Sequence, residues 1–157
     1  MIRRVGNPVF ASQGTTIFTV MSALAADHGA INLGQGFPDE DGPLAIRDAA
    51  AKALREGPNQ YPPMTGLSSL RNAVAAHDAR FYGMTFDPES EVVVTSGATE
   101  ALADSFMALT RPGDEVVIIE PAYDSYRPML EAMGGRIKTI RLAPPNFRLN
   151  EKMLEEV

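Results

Sequence analysis

The stretch Thr95-Ser96-Gly97-Ala98-Thr99-Glu100-Ala101 decides the fold class, because it joins an extended apolar segment to an amphipathic one. Residues 91–94 before it are typical of a strand, and residues 98–109 after it repeat apolar side chains at helical spacing. A strand that enters a helix through small residues directs backbone N–H groups and the positive end of a helix dipole at one point, which suits a phosphate. The signal is weak alone, since this is neither a Walker loop nor G-x-G-x-x-G, and capping can also explain such residues.

The rest of the chain continues this alternation. Apolar runs rich in β-branched residues predict strands, and apolar residues repeated at i, i+3 and i+4 predict helices. The predicted strands cover residues 92–95, 116–120 and 137–142. The predicted helices run from Thr15 or Thr16 to Gly29, from Pro43 to Gly57, from Leu67 to Gly83, over 98–109 and over 125–133. Strands alternating with helices in this way are typical of a layered α/β domain.

The two ends of the chain differ from this regular part. Residues 1–14 show no periodic pattern, so we expect an irregular arm there. Near the other end, Asn150 is a good N-cap and residues 151–157 begin an apolar stripe, but no C-cap residue follows. This pattern predicts a helix that is cut after its first turns.

The composition excludes several classes of function. The chain has 157 residues, of which 45% are hydrophobic and 22% charged, as in a globular domain with one core. A net charge of −6 argues against binding to nucleic acid or to an anionic membrane, since no basic stripe would offset the repulsion. The chain has no cysteine, and its imidazoles are His28 and His77, so we predict no metal centre.

The N-terminal residues imitate a secretory signal only superficially. Arg3 and Arg4 precede an apolar run, but polar residues at 12–16 interrupt it. The sequence also lacks a run of about 20 apolar residues that would span a bilayer. We therefore expect a cytoplasmic protein without a membrane partner.

Four short segments point to a family. In chain order they are Ile31-Asn32-Leu33-Gly34-Gln35-Gly36-Phe37-Pro38-Asp39, Asn59-Gln60-Tyr61-Pro62-Pro63-Met64-Thr65-Gly66, Ser96-Gly97-Ala98-Thr99-Glu100-Ala101-Leu102 and Glu120-Pro121-Ala122-Tyr123-Asp124-Ser125-Tyr126. Together they closely resemble the N-terminal part of the class I and II aminotransferases of fold type I, which depend on pyridoxal 5′-phosphate (PLP). The likeness is closest to the branch that contains the kynurenine, glutamine and methionine aminotransferases. It covers nearly the whole chain.

The resemblance implies the N-terminal portion of a three-layer α/β/α large domain. Residues 1–42 would form an N-terminal arm and a segment of the small domain, and residues 43–157 the first, truncated part of the large cofactor-binding domain. Full-length members of the family are homodimers that act on amino acids and 2-oxo acids.

The resemblance also assigns residues to the cofactor. Gly97, Ala98 and Thr99 match the residues that hold the PLP phosphate, which agrees with the argument from the helix terminus. Only small residues let a backbone approach an anion so closely. Tyr123 matches the aromatic residue that stacks on the pyridine ring. Without the flanking motif, Tyr123 would be interpreted as a core aromatic at a strand end.

Two further residues have roles implied by the same resemblance. Tyr61 matches the tyrosine that reaches across the dimer interface towards the phosphate of the neighbouring subunit's cofactor, a role that requires a homodimer. Its alternative is a surface-packing residue in a loop rich in proline. Gly36 matches the glycine whose backbone contacts the α-carboxylate of the substrate, and it is also suited to a turn before Phe37 and Pro38.

One essential residue of the family is missing. Amino transfer needs a lysine, in a Ser-x-x-Lys setting, that holds the cofactor and moves a proton. The lysines here are Lys52, Lys138 and Lys152, and none has that setting, so we assign no catalytic residue and expect the chain alone to be inactive. The preferred hypothesis is an N-terminal fragment of an aminotransferase. The alternative is a non-catalytic domain that binds a phosphate-bearing ligand or a partner chain.

Overall fold

The computed structural model describes residues 6–36, 38 and 40–157. In chain order, the elements are α1 (Pro8–Ser12), α2 (Ile17–Asp27), α3 (Leu44–Glu56), α4 (Ser68–Tyr82), α5 (Gly97–Leu109), β1 (Glu115–Glu120), α6 (Tyr126–Ala132), β2 (Arg136–Arg141) and α7 (Glu151–Glu155). Contacts between residues divide the chain into two compact units. The first unit combines the residues up to Gly29 with Ser96–Val157, and the second is Ala30–Thr95.

The first unit is built on a β-α-β arrangement. β1 and β2 are parallel neighbours, aligned so that Glu115 is paired with Arg136 and Glu120 with Arg141. Parallel strands need a crossover connection, which α6 supplies. The buried apolar side chains of this unit are Ile118, Leu130 and Ile140, which are 6%, 2% and 4% exposed. Because they come from β1, α6 and β2, the helix covers one face of the sheet.

Among the predicted helices, α2 and α7 begin at side-chain caps that the sequence provides, and α4 ends at a predicted glycine. Thr16 Oγ1 accepts a hydrogen bond from the Thr19 N–H at 3.3 Å and so begins α2. Asn150 Oδ1 accepts from the Met153 N–H at 3.0 Å and begins α7. Gly83 ends α4 with a left-handed φ of +67°. The predicted helix ends agree with the structure to within one or two residues.

The predicted strand at residues 92–95 is wrong. These residues are irregular, and the Val94 N–H donates to the Thr65 carbonyl at 3.0 Å rather than to a neighbouring strand. A strand exists only when its backbone groups pair in a ladder. The apolar pattern shows that the segment is suited to a strand, but no described segment lies beside it as a hydrogen-bonded neighbouring strand.

The expectation of an irregular arm over residues 1–14 is wrong for part of its length. Pro8–Ser12 forms α1, with Asn7 as N-cap accepting from the Val9 N–H at 3.0 Å. Asn followed by Pro at the first helical position is a helix start, and this signal was present in the sequence. α1 packs against α6, and Asn7 Nδ2 donates to the Ala132 carbonyl at 3.5 Å. Residues 1–5, with Arg3 and Arg4, lie outside the described residues.

One stretch of the described chain has the length and composition of a membrane span. Pro8–Asp27 covers 20 residues with a mean hydropathy of 1.3, and none of it is buried. It is not one continuous helix, because residues 13–16 separate α1 from α2, and both Gln13 and Thr16 have extended backbone angles. Such a break leaves backbone groups unpaired, which the bilayer core strongly disfavours. The composition of this stretch would permit a membrane span, but its helix boundaries argue against one.

Candidate functional site

The first turn of α5 carries the predicted phosphate site. Gly97 begins the helix with a left-handed φ of +81°, and a Cβ added there would meet nothing within 4 Å. Glycine is therefore required at this position by backbone conformation and not by crowding. The N-cap Ser96 forms no capping bond with its side chain, whereas its N–H donates to the Glu100 carboxylate.

This arrangement fits a bound anion. Residues 96–100 are all exposed, and the Ser96 side chain does not cap the N–H groups of Ala98 and Thr99. A phosphate at this helix end would accept from backbone N–H groups and from the Thr99 hydroxyl, and it would lie at the positive end of the dipole of a 13-residue helix. The donor set is thus suited to the phosphate of PLP.

Tyr123 lies in the loop that joins β1 to α6, in the same unit as α5. Its side chain is 50% exposed. Its ring centroid is 6.1 Å from that of Phe18 on α2 and 5.8 Å from that of Tyr126. Tyr126 in turn meets Phe106 of α5 edge to face, at 6.4 Å. A row of rings thus supports Tyr123 and leaves half of its surface exposed for stacking.

A cavity of about 370 Å³ opens beside this loop. Its walls include Tyr123, Glu120 and Arg127, together with Gln13 from the segment between α1 and α2. This volume lies in the range of small-molecule sites. Tyr123 therefore lines a cavity together with polar and charged groups.

Glu120 is one of the charged groups that line this cavity. Its Oε1 lies 2.9 Å from Arg127 Nη2, and its Oε2 accepts from Arg141 Nε at 3.2 Å. The hydrogen bond from Arg127 is the largest cause that lowers the pKa of Glu120 below its ordinary value of 4.5; burial opposes it, and Arg141 adds to the lowering. Glu120 is therefore a carboxylate at neutral pH and does not serve as a proton donor.

The sequence did not single out the Glu120 cluster. Arg127 reaches Glu120 and also donates from Nη2 to Thr139 Oγ1 at 2.9 Å, so it ties α6 to both strands. The sequence contained part of the signal for this cluster. Glu120 lies at the end of one strand and Arg141 at the end of the next, and residues of opposite charge at such positions form cross-strand pairs. The contact of Arg127 depends on the fold of the crossover and has no local signal.

Tyr61 and Gly36 belong to the second unit, whereas the residues just described belong to the first. Tyr61 is 99% exposed, and Met64 in the same turn is 100% exposed. Gly36 is also exposed, and a Cβ added there would meet nothing within 4 Å. Its motif neighbours Phe37 and Asp39 lie outside the described residues. The roles of Tyr61 and Gly36 remain predictions, as do those of Gly97, Ala98, Thr99 and Tyr123.

The turn after Tyr61 is anchored by a buried arginine that the sequence analysis missed. Arg71 on α4 is 4% exposed. Its Nε donates to the Gly66 carbonyl at 3.2 Å, its Nη1 to the Pro88 carbonyl, and its Nη2 pairs with Glu89 Oε2 at 3.1 Å. These acceptors lie 5, 17 and 18 residues away along the chain. The spacing of residues in the sequence therefore did not predict this cluster.

The lysines of this chain are engaged in ion pairs. Lys52 lies 3.8 Å from Glu56. Lys138 lies 3.9 Å from Glu115, and Lys152 lies 3.7 Å from Glu156. All these groups are solvent-accessible, as is typical of helix and strand surfaces. The prediction that none of these lysines holds the cofactor stays a prediction.

Comparison with known proteins assigns the chain to a family. Residues 28–157 match the model of the aminotransferases of class I and II. The chain is 52% identical over 137 residues to the methionine aminotransferase of Escherichia coli K12, a match that covers 87% of this chain and 36% of that protein. It is 53% identical over 130 residues to a probable N-succinyldiaminopimelate aminotransferase of Mycobacterium tuberculosis, a match that covers 83% and 33%. The chain thus spans about a third of these relatives.

Solved structures agree with this assignment. A methionine aminotransferase from Escherichia coli aligns with 99% of this chain and 41% of its own, with a TM-score of 0.91 and 46% identity. The N-succinyldiaminopimelate aminotransferase from Mycobacterium tuberculosis aligns with 98% and 40%, with a TM-score of 0.88 and 47% identity. The predicted α/β fold, the N-terminal portion of the fold type I architecture, is therefore confirmed. The chain belongs to the class I and II aminotransferases.

Proposed function

We propose that the full-length protein containing this chain is a PLP-dependent aminotransferase, which moves an amino group from an amino acid to a 2-oxo acid in the cytoplasm. The observation that carries the proposal is that one unit holds both an exposed helix terminus at Gly97, of the kind that suits an anion, and a half-exposed ring at Tyr123. A phosphate and a flat aromatic ring are the two parts of PLP that such groups recognise. Family membership supplies the reaction class.

The residues of this chain would bind and orient the cofactor. Gly97, Ala98 and Thr99 would receive the phosphate, and Tyr123 would pack against one face of the pyridine ring. PLP, when bound, supplies an electron sink for charge that develops on the substrate. The proton-transferring lysine would lie in another part of the full-length protein, because none of the lysines of this chain stands in a Ser-x-x-Lys setting. The contribution of this portion is therefore cofactor affinity and ring orientation.

The second unit would contribute to substrate and partner binding. The backbone of Gly36 would contact the α-carboxylate of the substrate. Tyr61 would reach the cofactor phosphate of the neighbouring subunit in a homodimer, and its nearly complete exposure suits a residue that meets another chain. Amino acids and 2-oxo acids would be the substrates.

The reading frame beyond codon 157 gives the first test. An open frame that encodes a Ser-x-x-Lys segment agrees with the proposal. A stop codon beside a separate complete gene would favour the non-catalytic alternative.

The cofactor site is tested in the full-length protein. Tyr123→Ala should weaken PLP binding by about 1 to 3 kcal/mol, the range for losing an aromatic stack and its buried area. Equilibrium dialysis measures the affinity, and the absorbance of bound PLP should change when an amino acid is added and return with a 2-oxo acid. Affinity equal to that of the wild type would rule out the stacking role.

A further inference from the structure

The loop that carries Tyr123 is closed by an ion pair. Glu120 ends β1 and Arg127 lies in the first turn of α6, so the loop lies between them. Arg127 Nη2 is 2.9 Å from Glu120 Oε1 and also donates to Thr139 Oγ1 of β2 at 2.9 Å. The two ends of the loop are thus tied to each other and to the neighbouring strand.

Both oxygens of the Glu120 carboxylate are occupied. While Oε1 meets Arg127, Oε2 accepts from Arg141 Nε at 3.2 Å. Arg127 is held from its other side as well, because its Nη1 lies 3.6 Å from Glu131 Oε1. Two guanidinium groups restrict the orientation of the carboxylate between them, and such charge-assisted bonds are stronger than neutral ones. The closure is therefore directional and does not depend on one contact.

The Tyr123 ring has weaker restraints of its own. Its ring neighbours lie at centroid distances of 5.8 and 6.1 Å, and half of its surface is exposed. A loop residue of this kind loses conformational freedom when it packs on a ligand, and that loss reduces affinity. Closing the loop in advance reduces the loss.

We propose that the Glu120–Arg127 pair is a clamp that holds the Tyr123 ring in place before the cofactor binds. This inference rests on the proposed function, in which Tyr123 stacks on the PLP ring. Arg127 is then a positioning residue that acts through Tyr123. Removing it should disturb the ring in the cofactor-free protein and weaken PLP binding as a consequence.

The first test observes the ring without cofactor. The full-length protein is labelled with fluorotyrosine and freed of PLP, and the fluorine resonance of Tyr123 is identified by its absence in Tyr123→Phe. Arg127→Met should shift or broaden this resonance, and Arg127→Lys should restore part of the signal because it keeps a cation near Glu120. A Tyr123 resonance unchanged in Arg127→Met would overturn the proposal.

Arg136→Met is the matched control. Arg136 pairs with Glu115 at 3.7 Å, at the opposite end of the same two strands. Loss of that pair should lower stability slightly and leave the Tyr123 resonance unchanged. An equal change of the resonance in both variants would show that the effect is general loosening of the sheet, which also overturns the clamp.

PLP affinity separates the clamp from the proposed function. Arg127→Met should weaken PLP binding by up to about fivefold, the effect of a partly exposed ion pair, and should have no further effect in a Tyr123→Ala background. If Tyr123→Ala leaves affinity unchanged, the stacking role and the clamp both fail. If Tyr123→Ala weakens binding but Arg127→Met does not, or if Arg127→Met acts equally in both backgrounds, the clamp alone fails.

Discussion

Gly66 lies directly against Val94: a Cβ atom added to Gly66 would stand 2.5 Å from Val94 Cγ2. The φ of Gly66 is +97°, in the left-handed region, and its N–H donates to the Pro63 carbonyl at 2.8 Å. Close approach and backbone conformation therefore both require glycine here. Through this contact, the turn that follows Tyr61 is packed on residues 92–95.

Gly66→Ala should destabilise the full-length protein by about 2 to 4 kcal/mol, which combines the left-handed backbone with the clash. Gly83 is a matched control, because its φ is +67° but a Cβ there meets nothing within 4 Å. Gly83→Ala should destabilise the protein only through the left-handed backbone, by about 1 to 2 kcal/mol. Urea unfolding measures both. Equal losses in the two variants would contradict the packing of the turn against Val94.

Arg71→Met should also destabilise the protein, by about 2 to 4 kcal/mol, since it removes the donor from two backbone carbonyls and from Glu89. Arg47 offers a control, because it pairs with Asp41 at 2.8 Å on the surface of the same unit. Arg47→Met should change stability by less than about 1 kcal/mol. Thermal unfolding of both variants tests this difference, and similar melting temperatures would show that burial of Arg71 does not matter.

The contacts of Arg71 and of Arg127 show which parts of the structure could not be predicted from the sequence. Caps such as Thr16, Asn150 and Gly83 act within one turn of the chain, so spacing alone predicted them. The contacts of Arg71 join groups up to 18 residues apart, and those of Arg127 depend on how α6 crosses between two strands. Such contacts follow from the fold and leave no periodic pattern.

The strand predicted at residues 92–95 failed for a related reason. Apolar, β-branched residues indicate that a segment can join a sheet. The neighbouring strand to which it would hydrogen-bond comes from elsewhere in the chain. For the candidate site, the motifs singled out Gly97 and Tyr123, and the structure has both residues in one unit. The motifs did not predict the ion pairs around Glu120 that close the Tyr123 loop, because the side chains involved come from β1, α6 and β2.

The lowered pKa of Glu120 gives a pH dependence. Because its folded pKa lies below its ordinary value of 4.5, the ionised carboxylate stabilises the folded state at pH values above 4.5. That contribution is lost as the pH falls through the lowered pKa. The charged groups that face Glu120 are the guanidinium groups of Arg127 and Arg141. Glu120→Gln should therefore be less stable than the wild type at neutral pH, with a difference that shrinks in acid. A difference that stays constant from neutral pH into strong acid would contradict this role.

Tyr61→Phe should weaken cofactor retention only at the site of the opposite subunit. The hydroxyl is the group that a phosphate would engage, and the side chain is 99% exposed in its own chain. Mixed dimers pair a Tyr61→Phe subunit with one whose cofactor lysine is replaced, so that each site reports separately. PLP release measured at each site gives the result, and a defect at the mutant's own site would exclude the interface role.

The last prediction concerns the 157-residue chain on its own. Side chains such as Ile31, Leu33 and Leu109 are 85%, 91% and 81% exposed, and the first unit has a sheet of two strands. Solvent-exposed apolar surfaces and unpaired strand edges favour association between chains. The net stability of a domain is only about 5 to 15 kcal/mol, so little stability is available to offset such exposure. The chain alone should therefore be molten or aggregation-prone and should bind PLP weakly. Size-exclusion chromatography, a thermal melt and amide NMR test this, and a monomer with a cooperative transition and dispersed signals would show that the chain is a self-sufficient domain.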